Sequence, residues 1–178
     1  QDRAVTAEDY KVLVKSIYPN AQSVQVYGGE DAAIPDYGKV YISIKAKSGS
    51  NLTEATKVSL VKSLKSYAVA SVTPVIINPE TTYITLVTTF KFDSNQTTKD
   101  LSTLETDVIN SITTYNINTL ENFTGMFRYS ALTKTIDESD TSILSNITKV
   151  KMYKFITPTL DSGLKYTLSF NNAIYNPH

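Results

Sequence analysis

One strand with an unbroken two-sided pattern, set between two stretches of helical period, constrains this chain more than any other feature. Val40, Ile42, Ile44 and Ala46 fall on one face and Tyr41, Ser43, Lys45 and Lys47 on the other, the period of a half-buried sheet. Ahead of it, Tyr10, Leu13, Val14 and Ile17 recur at helical spacing behind a Thr6–Asp9 capping pair, and Pro19-Asn20 ends that helix. Behind it, Asn51 and Glu54 signal a second helix running to about Val69. Its expected buried stripe is Ala55, Val58, Val61, Leu64 and Ala68, with Lys57, Lys62 and Lys65 on the wet side. Helices interleaved with such strands make an α+β chain.

The remaining segments extend this alternation. Val24 and Val26 oppose Ser23 and Gln25 in a short strand, followed by a polar loop over 28–38. Residues 72–77 read as a strand that Pro74 demotes to an edge or to an irregular start. Residues 82–92 place Ile84, Leu86, Phe90 and Phe92 on one face. Thr97 and Asp100 cap a third helix to about Tyr115, with Leu101, Leu104, Val108, Ile112 and Tyr115 as its stripe. Tyr129, Leu132 and Ile136 mark a short helix. Residues 147–156 and 164–170 read as two strands joined by a turn around Pro158 and Gly163. From residue 39 this order contains the split strand–helix–strand unit twice, which predicts a ferredoxin-like core. The expected organisation is an N-terminal helix, strand and loop over 1–38, added to an α+β core over 39–178. That core ends in a strand hairpin and has a possible subdomain boundary near 93–97.

Composition narrows the chemistry. The chain has no cysteine, so disulfides, thiolate zinc sites, iron–sulfur clusters and a cysteine nucleophile are excluded. Its one histidine, His178, is the last residue, which leaves no imidazole base for a serine hydrolase, and no G-x-S-x-G elbow occurs. Seventeen basic and seventeen acidic side chains cancel, removing the electrostatic footprint of a nucleic-acid binder. No apolar run approaches the roughly 18–20 residues that span a bilayer. No cofactor or metal is expected. Serine and threonine supply roughly a quarter of the chain, and twelve tyrosines outnumber six phenylalanines, which suits exposed or partner-covered sheet. The Gln1-Asp2-Arg3 start carries no signal-peptide pattern and no methionine, and is read as the start of a piece cut from something longer.

Two acidic clusters stand out. Glu30, Asp31 and Asp36 lie beside Gly28, Gly29 and Gly38, without the regular oxygen spacing of a calcium loop. Asp137, Glu138 and Asp140 follow the short helix. Both read first as solvated turns. A hydrolase using Glu30 or Asp31 and a carbohydrate-binding or adhesin module using the tyrosines are the alternatives. Lys149, Lys151 and Lys154 share one strand, where lysines commonly protect an edge.

Three stretches in series carry a resemblance: Arg3-Ala4-Val5-Thr6-Ala7-Glu8-Asp9-Tyr10, Val26-Tyr27-Gly28-Gly29-Glu30-Asp31, and Pro35-Asp36-Tyr37-Gly38-Lys39-Val40-Tyr41-Ile42-Ser43-Ile44. In this order the chain resembles the baseplate-J-like family of contractile-tailed phages, and within it the wedge subunits of T-even-type phages. Phe127-Arg128-Tyr129-Ser130-Ala131-Leu132 adds a weaker local likeness. The resemblance implies a structural role without catalysis or cofactor, located in the virion's tail baseplate. Implied partners are further copies of the chain, as a homodimer or ring, and other wedge proteins, with no nucleic acid, membrane or small-molecule substrate. The loop over 28–38 is longer than a hairpin needs, so Gly28, Gly29, Glu30, Asp31, Tyr37 and Tyr41 are the candidate interface residues.

Overall fold

The structure, a computed structural model, describes residues 3–32, 34–48, 51–158, 160 and 163–170. Gln1, Asp2, Ala33, His178 and part of the turn around Pro158 lie outside them. The chain divides into two compact units, Gln1–Glu80 with Glu121–Thr124, and Thr81–Leu120 with Gly125–His178. The division therefore falls after Glu80, neither at 38 nor near 93–97. Residues 1–38 are not an addition, because their strand is zipped to the strand expected to open the core.

In the first unit, helix α1 (Ala7–Ile17) is closed by a true capping box. Thr6 Oγ1 accepts from the Asp9 N–H, and Asp9 Oδ2 accepts from the Thr6 N–H at 2.8 Å. Strand β1 (Ala21–Gly28) pairs antiparallel with β2 (Lys39–Ala46), and β2 pairs parallel with β3 (Thr73–Ile77). Helix α2 (Glu54–Lys65) makes the crossover between the parallel strands. As expected, Val24, Val26, Val40, Ile42, Ile44 and Ala46 are all buried. Pro74 is tolerated because β3 is an edge strand.

The second helix corrects the sequence reading in three ways. Its cap is Thr53, which accepts from the Thr56 N–H, not Asn51. It ends at Lys65 rather than Val69. Its buried residues are Leu60 and Leu64, while Ala55 and Val58 are exposed. The 60/64 pair lies one turn apart and meets Val14, Tyr10 and the β2 isoleucines in one core. Each such aliphatic side chain contributes about 1.5–3 kcal/mol by burial.

The second unit holds a two-stranded antiparallel sheet, β4 (Tyr83–Phe92) with β5 (Ile143–Tyr153). Between them come α3 (Leu101–Tyr115), a single π turn over Asn116–Leu120, and α4 (Tyr129–Asp137). Asp100 alone is the cap of α3, accepting from the Thr103 N–H at 2.9 Å. Leu104 and Val108 of α3 are buried, as are Leu132 and Ile136 of α4, matching the expected stripes, whereas Leu101 is exposed.

The fold is α+β, but the ferredoxin-like arrangement is not formed. That fold needs four strands in one sheet; here the four expected to share it are divided, β2 and β3 in a three-stranded sheet with β1, and β4 and β5 in a two-stranded one. The C-terminal hairpin is also absent among the described residues: 163–170 belong to no helix or strand.

Candidate assembly surfaces

The 28–38 loop is a constructed turn, not a slack connection. Gly29 opens one turn of 3₁₀ helix, Gly29–Asp31, and its carbonyl accepts from the Ala32 and Asp36 N–H groups at 3.2 and 2.9 Å. A β carbon on Gly29 would collide with the Asp36 carbonyl, so only glycine fits this buried crossing. The Glu30 carboxylate lies against Gly28 where a β carbon would sit. At the other end Gly38 has φ of +77°, and its carbonyl accepts from the Thr73 N–H at 2.8 Å, locking the loop to β3. The two glycines thus shape the exit and return. Glu30 and Asp31 are exposed, and Tyr37 is 80% exposed beside Ile34 at 84%.

Asp36 is the hub of this loop. Its Oδ2 accepts from Lys39 Nζ at 2.6 Å and from the Tyr41 hydroxyl at 3.0 Å. The Lys39 bond first, and the Tyr41 bond second, hold the Asp36 carboxyl below its ordinary range. The same contacts push Lys39 and the Tyr41 phenol up. Tyr41 in turn stacks on Tyr27, its directly opposed partner across β1 and β2, with ring centroids 5.5 Å apart. Of the expected interface residues, Tyr41 is therefore a brace inside the surface, and Tyr37 with Glu30 and Asp31 is what the loop presents. The Asp36–Lys39–Tyr41 set was not foreseen, although the i, i+3, i+5 spacing beside a strand start was the signal for it.

The second acidic cluster is dispersed into structural work. Asp137 accepts from Asn146 Nδ2 at 2.7 Å, and Glu138 faces Lys134 at 3.7 Å. Asp140 accepts from Lys99 Nζ and from the Ser142 hydroxyl, both at 2.7 Å. Those bonds, the lysine's first, hold its carboxyl well below the usual carboxylate range. Lys99, bridging Asp107 and Asp140, is held well above the ordinary lysine value. A shallow recess of about 410 Å³ beside them is lined by Asn95, Gln96, Thr97, Thr98, Lys99, Asp140 and Thr141, with no aromatic platform. Among the described residues no group of three His, Cys, Asp or Glu side chains is placed to hold a metal ion.

The outward face of the β4–β5 ribbon is a surface the sequence reading missed. Tyr83 and Tyr153, opposed in register, stack at 5.3 Å, and Phe155 packs edge-on to them at 5.1 and 5.5 Å. Phe155 remains 77% exposed. Val87 and Ile147 stand outward beyond this trio, with Lys149 and Lys151 between. Its signal was the parity of Tyr83, Val87, Ile147 and Tyr153 on otherwise polar strand faces.

Comparison with known proteins assigns both units. Residues 6–77 match the family model of baseplate structural protein gp6, C-terminal domain I, and residues 80–155 match C-terminal domain III. The junction of the two matches coincides with the division after Glu80. The chain is 28% identical over 195 residues to baseplate wedge protein gp6 of Enterobacteria phage T4, covering 99% of this chain and 29% of that protein. It thus spans under a third of that relative's length. A chain in the six-fold symmetrised cryo-EM structure of the anti-feeding prophage baseplate shares the fold, with a TM-score of 0.56 at 13% identity. That likeness covers 86% of this chain and 34% of the other. Two consecutive domain matches spanning nearly all the described residues, and near-complete alignment to a wedge protein, lead to one assignment: this chain belongs to the gp6 family of phage baseplate wedge proteins and carries its C-terminal domains I and III.

Proposed function

We propose that this chain is a structural module of a phage tail baseplate wedge, acting in the virion by protein–protein assembly into the baseplate ring and not by catalysis. The observation that carries this reading is the alignment to a wedge protein across 99% of the chain. On this reading its partners are further copies of the chain and other wedge proteins, with no role for nucleic acid, a membrane, a cofactor or a small-molecule substrate. The glycan-binding alternative gains nothing from the geometry: Tyr27, Tyr41, Tyr83 and Tyr153 each give one ring face to a partner tyrosine, and the recess beside Lys99 has no aromatic lining. The hydrolase alternative would rest on Glu30 and Asp31, both exposed on the loop, since the neighbouring Asp36 carboxylate is committed to Lys39 and Tyr41.

The contact surface proposed for the first unit is the 28–38 loop with Gly28, Gly29, Glu30, Asp31, Tyr37 and the Tyr41 brace. Glycine sets its backbone, and an exposed tyrosine supplies amphipathic contact area of the kind enriched at interfaces. The test uses the longer parent protein carrying Tyr37→Ser, alone and with Tyr41→Ser. Light scattering gives its mass and electron microscopy its incorporation into rings. Reduced incorporation is the expected result, with unchanged melting for Tyr37→Ser and lower melting for the double variant, which also loses the Asp36 hydrogen bond and the Tyr27 stack. Full incorporation of a folded double variant removes this loop from the interface and leaves the wedge assignment standing.

A further inference from the structure

We infer that the 28–38 loop of one copy docks on the outward face of the β4–β5 ribbon of a second copy. This deepens the wedge reading, on whose self-association it rests, by naming what that loop meets. The two surfaces are opposite in charge and alike in carrying exposed apolar side chains.

The ribbon supplies the basic side. The outward positions of β4 and β5 carry Lys91, Lys149 and Lys151 and no acidic residue. Strand register sets Lys149 opposite Val87 and Ile147 opposite Thr89, so the two aliphatic side chains occupy neighbouring rungs. Lys149 and Lys151 flank them towards the tyrosine end of the ribbon, and Lys91 flanks them towards the other. Val87 is 63% exposed and Ile147 69%. A wet sheet face is ordinarily polar. Adjoining aliphatic side chains flanked by one sign of charge suit a partner better than solvent.

The loop supplies the acidic side. Glu30 and Asp31 are exposed on its 3₁₀ turn, and Ile34 and Tyr37 are exposed beyond them. Asp36 adds little net charge, because Lys39 pairs with it at 2.6 Å. Among the described residues no ion pair involves Glu30, Asp31, Lys91, Lys149 or Lys151. Each patch thus holds uncompensated charge beside uncovered apolar area, in a chain whose seventeen basic and seventeen acidic side chains cancel. On docking, the apolar groups would leave water at the centre while opposite charges meet at the rim, the ordinary layout of a specific interface. Loop against loop would set acid against acid, and ribbon against ribbon would set lysine against lysine. Every copy carries both patches, so the contact can recur from one copy to the next, as a ring requires.

The experiment follows the 178-residue chain by sedimentation velocity across concentration, at low and high salt. The parent is expected to associate, and to do so less in high salt. Two charge-reversed variants are compared with it, Glu30→Lys with Asp31→Lys, and Lys149→Glu with Lys151→Glu. Each alone should lose at least about tenfold in association while keeping the parent's melting temperature. Their equimolar mixture should recover it, because the unaltered loop of one variant meets the unaltered ribbon of the other. Docking within one copy would gain nothing from mixing. If the double loop variant melts lower, Asp31→Lys alone should show the same direction of loss and the same recovery. A mixture that fails to recover association overturns the inference, as does a parent that stays monomeric at every concentration. A loss confined to the lysine variant also overturns it, and assigns the ribbon to a different acidic protein. Ring incorporation of the longer protein carrying Tyr37→Ser is read separately, so the wedge reading stands or falls on its own.

Discussion

The two units are built from similar lengths of chain but differ in how completely each buries itself. The first gathers twelve buried residues around β2, a strand with neighbours on both edges, so Ile42 and Ile44 are almost wholly excluded from water. Among the described residues the second gathers four in its core cluster, Val108, Leu132, Ile136 and Ile143, with Leu104 buried apart from them, and has no central strand. Its β4 alternates as cleanly as β2, yet the inward row of β4 is only half-buried. Alternation makes a strand two-faced, but burial needs neighbours along both edges as well as a helix layer above. The first unit contains those neighbours, whereas among the described residues β4 is paired along one edge alone.

The largest effect that tests this contrast is Leu64→Ala. Leu64 is fully buried in the first unit, so its truncation should cost about 2–5 kcal/mol in urea unfolding. Leu86→Ala, at a half-buried site of the second unit, should cost about 1 kcal/mol. Equal losses would mean the second core is as closed as the first. Between them stands Gly29→Ala, which forces a β carbon into the Asp36 carbonyl. It should cost about 1–3 kcal/mol and raise amide exchange at residues 29–36, leaving the second unit's exchange unchanged.

Acid should separate the units next. Asp93, Asp100 and Asp140 of the second unit are all held below their ordinary carboxylate values, Asp93 first by the Asn95 N–H, Asp100 by Thr103 and Asp140 by Lys99. A group with a depressed folded value stabilises above its unfolded pKa and loses that contribution as pH falls toward the folded one. The second unit's amide protection should therefore decline below about pH 4. Asp9 and Asp36 make the first unit acid-sensitive in the same direction. Asp140→Asn should flatten part of the decline in the second unit alone; a slope identical to the parent's would show that the Lys99 bridge contributes nothing to folding. The smallest effect belongs to Thr106→Ala on the exposed face of α3, within about 0.5 kcal/mol. Losses there as large as at Leu104 would place the helix in the wrong phase.

Several elements were legible because their cause is local. Thr6 and Asp9 cap α1 through bonds spanning three residues, and the two-residue period of β2 puts Ile42 and Ile44 on the side that any sheet would bury. The α2 stripe misled because its apolar residues are spread around the helix. Only the position of its neighbours adds Leu60 to the expected Leu64 and leaves Ala55 and Val58 exposed. Of the candidate surface, Gly29 and Tyr37 were identifiable as residue types. The bonds that make Tyr41 a brace depend on the loop returning Asp36 above it.

The α1 capping box, the two faces of β2 and the wedge-family signature in the first 45 residues were thus determined by the sequence alone, since each is encoded within a few neighbouring positions. Which strands share a sheet was decided only by tertiary structure. A helix–strand order fits one four-stranded sheet as well as a three and a two; strand pairing depends on contacts between residues far apart, β2 with β3 and β4 with β5.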